Sequence, residues 1–414
     1  MFPFPAIAVS VRSAVIVGLH YAPETTGNAP YTTALAQALA AAGWQVRVVT
    51  GVPHYPQWRL TDSRYAVGKR WVESGGPGIE VIRVSHHIPP NPHLLGRARL
   101  EATFFRAAYR EIQIDRSEVV IAIAPTLGGV AASVVARRRR PLGVVVQDLT
   151  GNAIGQSGSA SRLIGTVVAG VEYALFRRAT AVAVITPRFG DVLNKHGVPA
   201  ERLRHLTNFS HIEAVDADRR EARRYLGWPQ DGILAVHTGN MGMKQGLENV
   251  IAAAREAEST RSPVHFVLVG DGNQREILRS MGAGCGNLLF QEPLDSAAYP
   301  FALAAADVLL VNEKPGVKEM SLPSKVTSYA VAGRPIVAAV DEGGITRAFL
   351  EEHEAALCCA PGDSSALLTA VHSALDPEVG ATLVAAARRL YTELYSPQAA
   401  VSRYQSFASD LRGA

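Results

Sequence analysis

Glu313-Lys-Pro-Gly-Val-Lys-Glu-Met-Ser-Leu-Pro-Ser-Lys-Val-Thr-Ser-Tyr-Ala-Val-Ala-Gly-Arg-Pro335 follows an apolar run, Ala306 to Val311, broken only by Asp307. The run reads as a buried strand, and the polar loop after it enters a short helix. Pro323 suits a first helical turn, where a missing N–H costs nothing, and Ser321 or Ser324 can cap it. Gly333 and Pro335 stop the helix, and Ile336 to Val340 resumes a strand. Glu319, Ser324 and Lys325 therefore fall where the carboxyl end of a strand meets free helix amides and a positive dipole end. Such a loop can hold a phosphate with Ser324 and Lys325 and meet sugar hydroxyls with Glu319. It reads equally well as an ordinary capped helix with a solvated lysine.

Working outward, strand and helix alternate in both directions, which implies an α/β chain with parallel sheets whose ligands gather at strand carboxyl ends. Upstream, Ile233 to Thr238 is a strand and Gly239 to Gly246 a glycine-rich loop. Leu247 to Ala257 is a helix, and Val264 to Val269 leads into the tight turn Gly270-Asp-Gly272. Asn287 to Phe290 leads to Gln291-Glu-Pro-Leu294. Gly239 and Gly242 would let backbone amides face a phosphate across from Ser324 and Lys325.

The first half repeats the alternation. Ser13 to Leu19 is a strand, His20 to Pro30 a loop, Tyr31 to Ala42 a helix and Gln45 to Thr50 a strand. The loop has no G-x-G-x-x-G, which weighs against a dinucleotide. Gly27 and Asn28 either approach a substrate or serve as turn and cap. Gly51 to Trp58 is a proline- and aromatic-rich loop, and residues 59–92 read as an excursion from the alternation. Val119 to Ala124 and Gly143 to Asp148 are buried strands, so Gln147, Asp148 and Asn152 fall at a strand end. Ala179 to Ile185 is a strand and Pro187 to His196 a helix.

With 414 residues and 48% hydrophobic content, the chain has room for two sizeable cores. We expect a poorly ordered leader at 1–12, a first domain at 13–208, a linker at 209–224, a second domain at 225–394 and a closing helical segment at 395–414. Asp216-Ala-Asp218 matches a D-x-D metal pattern, but its place in the linker favours coincidence. Three cysteines without a C-x-x-C spacing argue against a disulfide framework or a zinc site and fit a reducing cytoplasm.

Residues 1–208 carry 23 Lys+Arg against 12 Asp+Glu, and the remainder 18 against 25. The basic half suits an anionic partner or surface; no nucleic-acid recognition motif accompanies it. Leu94 to Ile114 mixes Arg97, Arg99, Arg106 and Arg110 with apolar residues, so it reads as a core-packing helix with solvated arginines or as a face for an anionic bilayer.

Taken in order, Tyr21-Ala-Pro-Glu-Thr-Thr-Gly27, Pro53-His-Tyr-Pro-Gln-Trp58, Gln147-Asp148, Gly239-Asn240, Lys244-Gln-Gly-Leu-Glu248, Gly270-Asp-Gly272 and Pro323-Ser-Lys325 resemble the GT-B glycosyltransferases of family 4. Within that family they look most like bacterial transferases of colanic acid and related exopolysaccharide synthesis. The resemblance spans about Ser13 to Arg412. It implies two Rossmann-like domains facing a cleft, and a retaining enzyme moving a sugar from a UDP- or GDP-linked donor to a hydroxyl acceptor, lipid-linked or at the cell surface. It implies that Gly27, Asn28, Gly239, Asn240, Gly242, Lys244, Gln245, Gly270, Gly272, Leu294, Pro323, Ser324 and Lys325 surround the donor. Glu319, Lys325 and Asp148 are the implied catalytic residues. His20, Glu24, Thr26, His54, Tyr55 and Gln147 lie on the acceptor side. Metal and other cofactors are dispensable in such enzymes, because fixed amides and cations stabilise the departing diphosphate. With the cysteine pattern and the basic first half, the reading is a cytoplasmic enzyme, either free or peripheral on the inner face of the cell membrane.

This sequence departs from the family pattern. Asn240 and Gln245 stand where the family has an Arg and a Lys, Ser328 stands for its second glutamate, and Glu319 lies one place from the first. Gln147 replaces a frequent histidine. These losses keep open a non-catalytic sugar-nucleotide-binding partner of another transferase. The shared architecture keeps open a nucleotide-sugar 2-epimerase.

Overall fold

A computed structural model describes residues 12–25, 27–90, 93–149, 159–317 and 325–414, without the side chains of 159–163. The chain divides into two compact units, residues 1–208 with 400–414, and residues 209–399.

In the first unit the strands are β1 (Ser13–Val17), β2 (Gln45–Gly51), β3 (Arg70–Gly76), β4 (Ile79–Val84), β5 (Val119–Ala124), β6 (Leu142–Val146), β7 (Ala181–Val184) and β8 (Leu203–His205). Among the described residues they form one sheet in the order β3-β4-β2-β1-β5-β6-β7-β8. Every pairing is parallel except β3 with β4. Central strands of such a sheet are covered on both faces, which is why β5 reads Val-Val-Ile-Ala-Ile-Ala and is buried throughout. The order reverses between β1 and β5, and that reversal opens a crevice at their carboxyl ends.

Helix Leu94–Ile114 covers part of this sheet with Leu100, Phe104, Ala108 and Ile112. It packs on helix Leu127–Ala136 so closely that a Cβ on Gly128 would lie 2.2 Å from the Glu101 carbonyl oxygen. The Glu101 carboxylate accepts the Gly128 N–H at 2.6 Å, and its burial pushes the carboxyl up to about 7. The last helix, Pro397–Gly413, contributes Phe407 and Leu411, whose side chains fill the space over Gly143. Gln405 of the same helix donates to the Ala38 carbonyl, and Arg412 pairs with Glu118.

The second unit holds β9 (Ile233–Thr238), β10 (Val264–Val269), β11 (Leu288–Gln291), β12 (Val308–Asn312), β13 (Ile336–Ala339) and β14 (Leu357–Cys359), all parallel, in the order β11-β10-β9-β12-β13-β14. Alternation along β9 splits the core. Leu234 and Val236 pack with Tyr329 and Leu390 on one face, and Ala235 packs with Val250 and Leu268 on the other. The reversal here lies between β9 and β12.

Two differences from the sequence reading concern elements. The excursion at 59–92 contains β3 and β4, which extend the first sheet. Within the segment expected as a linker, helix Arg219–Leu226 begins at residue 219. Asp218 caps that helix by accepting the Glu221 N–H at 2.9 Å while Glu221 accepts from Asp218 N. A capping box thus accounts for the second aspartate of the D-x-D match. The segment expected as a leader lies, apart from Arg12, outside the described residues.

Glu101 sets a pH signature. An ordinary glutamate pKa in the unfolded chain and one near 7 in the folded protein mean that the native state binds more protons between those values, so its stability falls as pH rises through them. Glu101→Gln removes that cost, up to about 3 kcal/mol above pH 7. The expected outcome is a melting temperature that gains on wild type more at pH 8 than at pH 5, measured by thermal denaturation at both.

Candidate active site

The two switch points place two clusters of polar side chains. In the second unit β9 ends in His237-Thr238-Gly239 and β12 ends in Asn312-Glu313. Lys325, the first residue of helix Lys325–Val331, reaches back so that its Nζ lies 3.2 Å from His237 Nε2. While Lys325 carries its charge it can only donate, so the imidazole beside it is then neutral and presents a lone pair on Nε2. Burial, and then the Lys325 charge, hold His237 well below its ordinary pKa, against opposing backbone groups at Asn240 and Leu310. Burial likewise pushes the Lys325 ammonium down to about 7, against the attraction of the Glu313 carboxylate. Glu313 is itself buried and accepts the Thr346 hydroxyl at 2.7 Å. An amine that titrates near neutrality and gains strongly from any added negative charge is what this pocket offers.

The loop after β9 is held on several sides. Tyr329 accepts the Thr238 N–H at 2.9 Å and donates to the Leu310 carbonyl at 3.2 Å. Tyr299 lies 2.9 Å from Thr238 Oγ1 and 3.1 Å from Ser328 Oγ. Asn312 donates to the Gln245 and Gly246 carbonyls. On the outer side the turn after β10 presses against the loop. Gly270 takes φ +135°, and a Cβ there would lie 2.0 Å from the Gly239 carbonyl oxygen.

In the first unit the crevice holds Glu24, which is almost fully buried. Its Oε1 accepts the N–H groups of His54 and Tyr55 at 2.8 Å each, and its Oε2 lies 2.7 Å from His20 Nδ1. Burial would raise the carboxyl pKa, but these hydrogen bonds and the His20 charge outweigh it and hold it below the ordinary range. His54 stacks on His20 and meets His86 edge-on at 4.7 Å between ring centres. His20, Glu24 and His54 bring one ligand atom each within 4.8 Å of one another. His54 Nδ1 lies 2.9 Å from the Val52 carbonyl, so Nε2 is the ring nitrogen left to ligate. Asn28 reaches the end of β5, its Nδ2 3.4 Å from the Ala124 carbonyl, and Gly27 takes φ +61° beside the Tyr55 ring.

The sequence model of the glycosyl transferase 4-like domain matches residues 26–208, and that of the glycosyl transferases group 1 matches residues 232–376. Together they reach into both units: the first takes in His54 but begins after His20 and Glu24, and the second takes in His237 and Lys325. The chain belongs to the group 1, family 4 glycosyltransferases. It is 29% identical over 380 residues, 87% of this chain and 91% of the relative, to WcaI, the glycosyl transferase assigned to colanic acid biosynthesis in Escherichia coli (strain K12). Sucrose-phosphate synthase of Thermosynechococcus elongatus shares its fold, with a TM-score of 0.70 at 19% identity over 97% of this chain and 99% of that one. So does the Anabaena protein HepE, solved with UDP, with a TM-score of 0.65 at 18% identity over 97% and 100%. This is the GT-B fold, and the transferase is an enzyme of the EC 2.4 class.

Several residues expected around the donor have structural work in the transferase. The amides of Gly239 and Gly242, expected to face a phosphate, are bonded, the first to the Val269 carbonyl at 2.9 Å and the second to Gln245 Oε1 at 3.1 Å. The Gly239 amide is a sheet-end hydrogen bond and is not available; the Gly242 amide shares its place with a side chain that an anion can displace. Asn240 is exposed, and a Cβ on Gly272 would strike its Oδ1 and the Met241 carbonyl. Lys244 is exposed, and Leu294 packs at the margin of the core. Gln147 accepts from Asn208 at 2.7 Å, while Asp148 is exposed and accepts the neighbouring Leu149 N–H. Thr26, Asn152, Glu319, Pro323 and Ser324 lie outside the described residues. His237, Tyr299 and Tyr329 were missed. A histidine inside an otherwise apolar strand was the available signal for the first.

Glu24→Ala tests the first-unit cluster. It leaves two N–H groups and a histidine without their acceptor, so a loss of about 2–4 kcal/mol of stability is expected by chemical denaturation. Glu24→Gln, which can keep one acceptor on the loop amides, should recover part of it.

Proposed function

We propose that the second unit of this transferase holds a nucleoside diphosphate sugar with its diphosphate against Lys325, and that the enzyme transfers the sugar with retention to a hydroxyl acceptor in polysaccharide synthesis. The Lys325–His237 pair carries this reading. A half-buried cation at the β9/β12 switch point, at the start of a helix, is where an α/β sheet binds anions. As the sugar–phosphate bond breaks, negative charge grows on the leaving diphosphate, and a fixed ammonium in a dry site stabilises that charge without solvent reorganisation. Gln245 can give up the Gly242 amide to a phosphate oxygen. Glu319 is assigned by family resemblance to the donor sugar, and Ser324 and Pro323 to the phosphate loop. The family's missing Arg and Lys, replaced by Asn240 and Gln245, make Lys325 the principal cation of this proposal. HepE, solved with UDP, and WcaI, assigned to colanic acid biosynthesis, support a nucleotide-linked donor and a cell-surface glycan. The acceptor is assigned to the first unit, near Glu24, His54 and Tyr55.

The sign of the pH dependence follows from Lys325. Its pKa is about 7 without ligand, and a bound diphosphate raises it. Binding therefore takes up about half a proton at pH 7 and nearly one at pH 8, and affinity falls as pH rises. Calorimetric titration with UDP and with GDP at pH 8, in buffers of different ionisation heat, reads this uptake. Lys325→Ala should abolish it and weaken binding at least tenfold. An unchanged buffer dependence in that variant removes Lys325 from the phosphate site. Transfer by the purified chain alone separates the enzyme from a non-catalytic partner.

The first unit also carries a surface suited to an anionic membrane, where a lipid-linked acceptor would be met. No helix among the described residues is long and apolar enough to cross a membrane. On helix Leu94–Ile114, however, Leu94, Leu95, Arg97, Arg99, Arg106 and Arg110 are exposed. Its two acids are turned inward, Glu101 to Gly128 and Glu111 to Arg70. Leucines at one end and an acid-free row of arginines can enter the headgroup layer and pair with lipid phosphates. The transferase should sediment with vesicles of 30% phosphatidylglycerol in phosphatidylcholine and be released by high salt. At about 1 kcal/mol per arginine, Arg106→Gln with Arg110→Gln should weaken the partition roughly thirtyfold. Equal binding to neutral vesicles would count against it.

A further inference from the structure

We propose that the second unit contains a separate binding site for a small phosphate-bearing anion, at the amino-terminal edge of its sheet, formed by Arg219, Arg220 and Arg334 around a cavity of about 610 Å³. Asp307 immediately precedes β12 and Gly232 immediately precedes β9, so the cavity sits at the end of the sheet opposite to Lys325. Its volume falls in the range of small-molecule pockets and exceeds what one inorganic phosphate fills.

Charge is the reason to expect an anion there. Four guanidinium groups, those of Arg219, Arg220, Arg223 and Arg334, line the cavity against two carboxylates, Asp218 and Asp307. Both carboxylates are already engaged. Asp218 caps helix Arg219–Leu226 through the Glu221 N–H. Asp307 takes Arg219 on one oxygen, and Arg223 together with the Leu234 N–H on the other. Arg223 is spent as well: it is buried and bonded to the Ala305, Gln230 and Gly232 carbonyls besides Asp307. It is therefore a structural cation.

The others are not saturated in this way. The Arg219 side chain is 50% exposed beyond its contact with Asp307, and Arg220 is exposed. Arg334 donates to the Ala304 carbonyl at 2.8 Å, but its Nε is buried with no hydrogen-bond partner among the described residues. Burial, then the charge of Arg219, press its pKa down, with Arg223 and Arg388 adding to the repulsion and only Asp307 opposing. A buried donor without an acceptor and a surplus of guanidinium charge are two costs that one ligand relieves. Phosphate oxygens meet both, since a guanidinium presents paired donors at their spacing.

Inorganic pyrophosphate titrated calorimetrically into the full chain tests this. The Lys325→Ala protein weakens the proposed donor-phosphate interaction, so the part of the remaining binding that the arginine changes lower reports the second cavity. Pyrophosphate should still bind that protein, and adding Arg219→Gln with Arg220→Gln should weaken it at least tenfold. Arg334→Gln, added separately, should weaken it as well, and melting curves check that each variant is folded. The proposal is overturned if pyrophosphate does not bind the Lys325→Ala protein, or binds it equally with and without the arginine changes.

Discussion

The Tyr329 hydroxyl is the contact on which the candidate donor site depends. It accepts the Thr238 N–H and the Thr238 hydroxyl, and it donates to the Leu310 carbonyl. A phenol has one proton and two lone pairs, and here all three are used. The group is completely buried, and burial drives its pKa up, so it stays neutral. One side chain from the helix that begins at Lys325 thus ties together the carboxyl ends of β9 and β12. Without that tie the lysine would ride on a seven-residue helix with no direct hydrogen bond from Tyr329 to the sheet, leaving the Ser328–Tyr299–Thr238 link and apolar packing to hold it. With it, the amine is fixed relative to His237.

The same economy explains why some motif residues turn out to be structural. Two loops leave adjacent parallel strands, β9 and β10, whose backbones run about 4.8 Å apart. If the loops are to stay in register beyond the sheet, no side chain can stand between them. Gly270 meets that requirement against Gly239. A glycine motif can mark close approach of backbone to backbone as well as backbone to phosphate, and spacing alone does not separate the two.

Much of the fold was legible because its central strands are long apolar runs bounded by turn residues. Val119–Ala124, Ile233–Thr238 and Val264–Val269 end where the pattern says they should. What escaped was the periphery. In β3, Arg-Trp-Val-Glu-Ser-Gly-Gly alternates polar and partly exposed residues as an antiparallel edge strand does, with two glycines at its end. In β4, Arg83 is buried because Glu73 of β3 pairs with it, and a single sequence carries no sign of that partnership. The strands β8 and β14 have three residues each, too few for a period to show. Lys325 was legible from the Pro-Ser-Lys stop-and-start signals. His237 stood out only as a histidine in an apolar strand; its pairing was hidden, since the partner lies 88 residues away and only the parallel crossover brings them together.

The second unit carries positive charge at both ends of one sheet, and the two ends are built differently. At the carboxyl end a single half-buried lysine titrates near neutrality, so its charge becomes fully present when an anion arrives. At the amino end arginines, which stay charged under any ordinary condition, surround a carboxylate that cannot balance them. The first arrangement suits a group that appears and departs within a reaction, because the cation is stabilised most by the ligand's developing charge. The second suits an anion that stays bound, because its positive field does not depend on protonation. The helix Lys325–Val331 has its first residue at one of these ends, and Arg334 follows three residues after its last. At 1.5 Å per residue the helix is only about 10 Å long. Any shift that an anion imposed on Arg334 would therefore meet the same short element that positions the lysine, with the Tyr329 hydroxyl as its anchor.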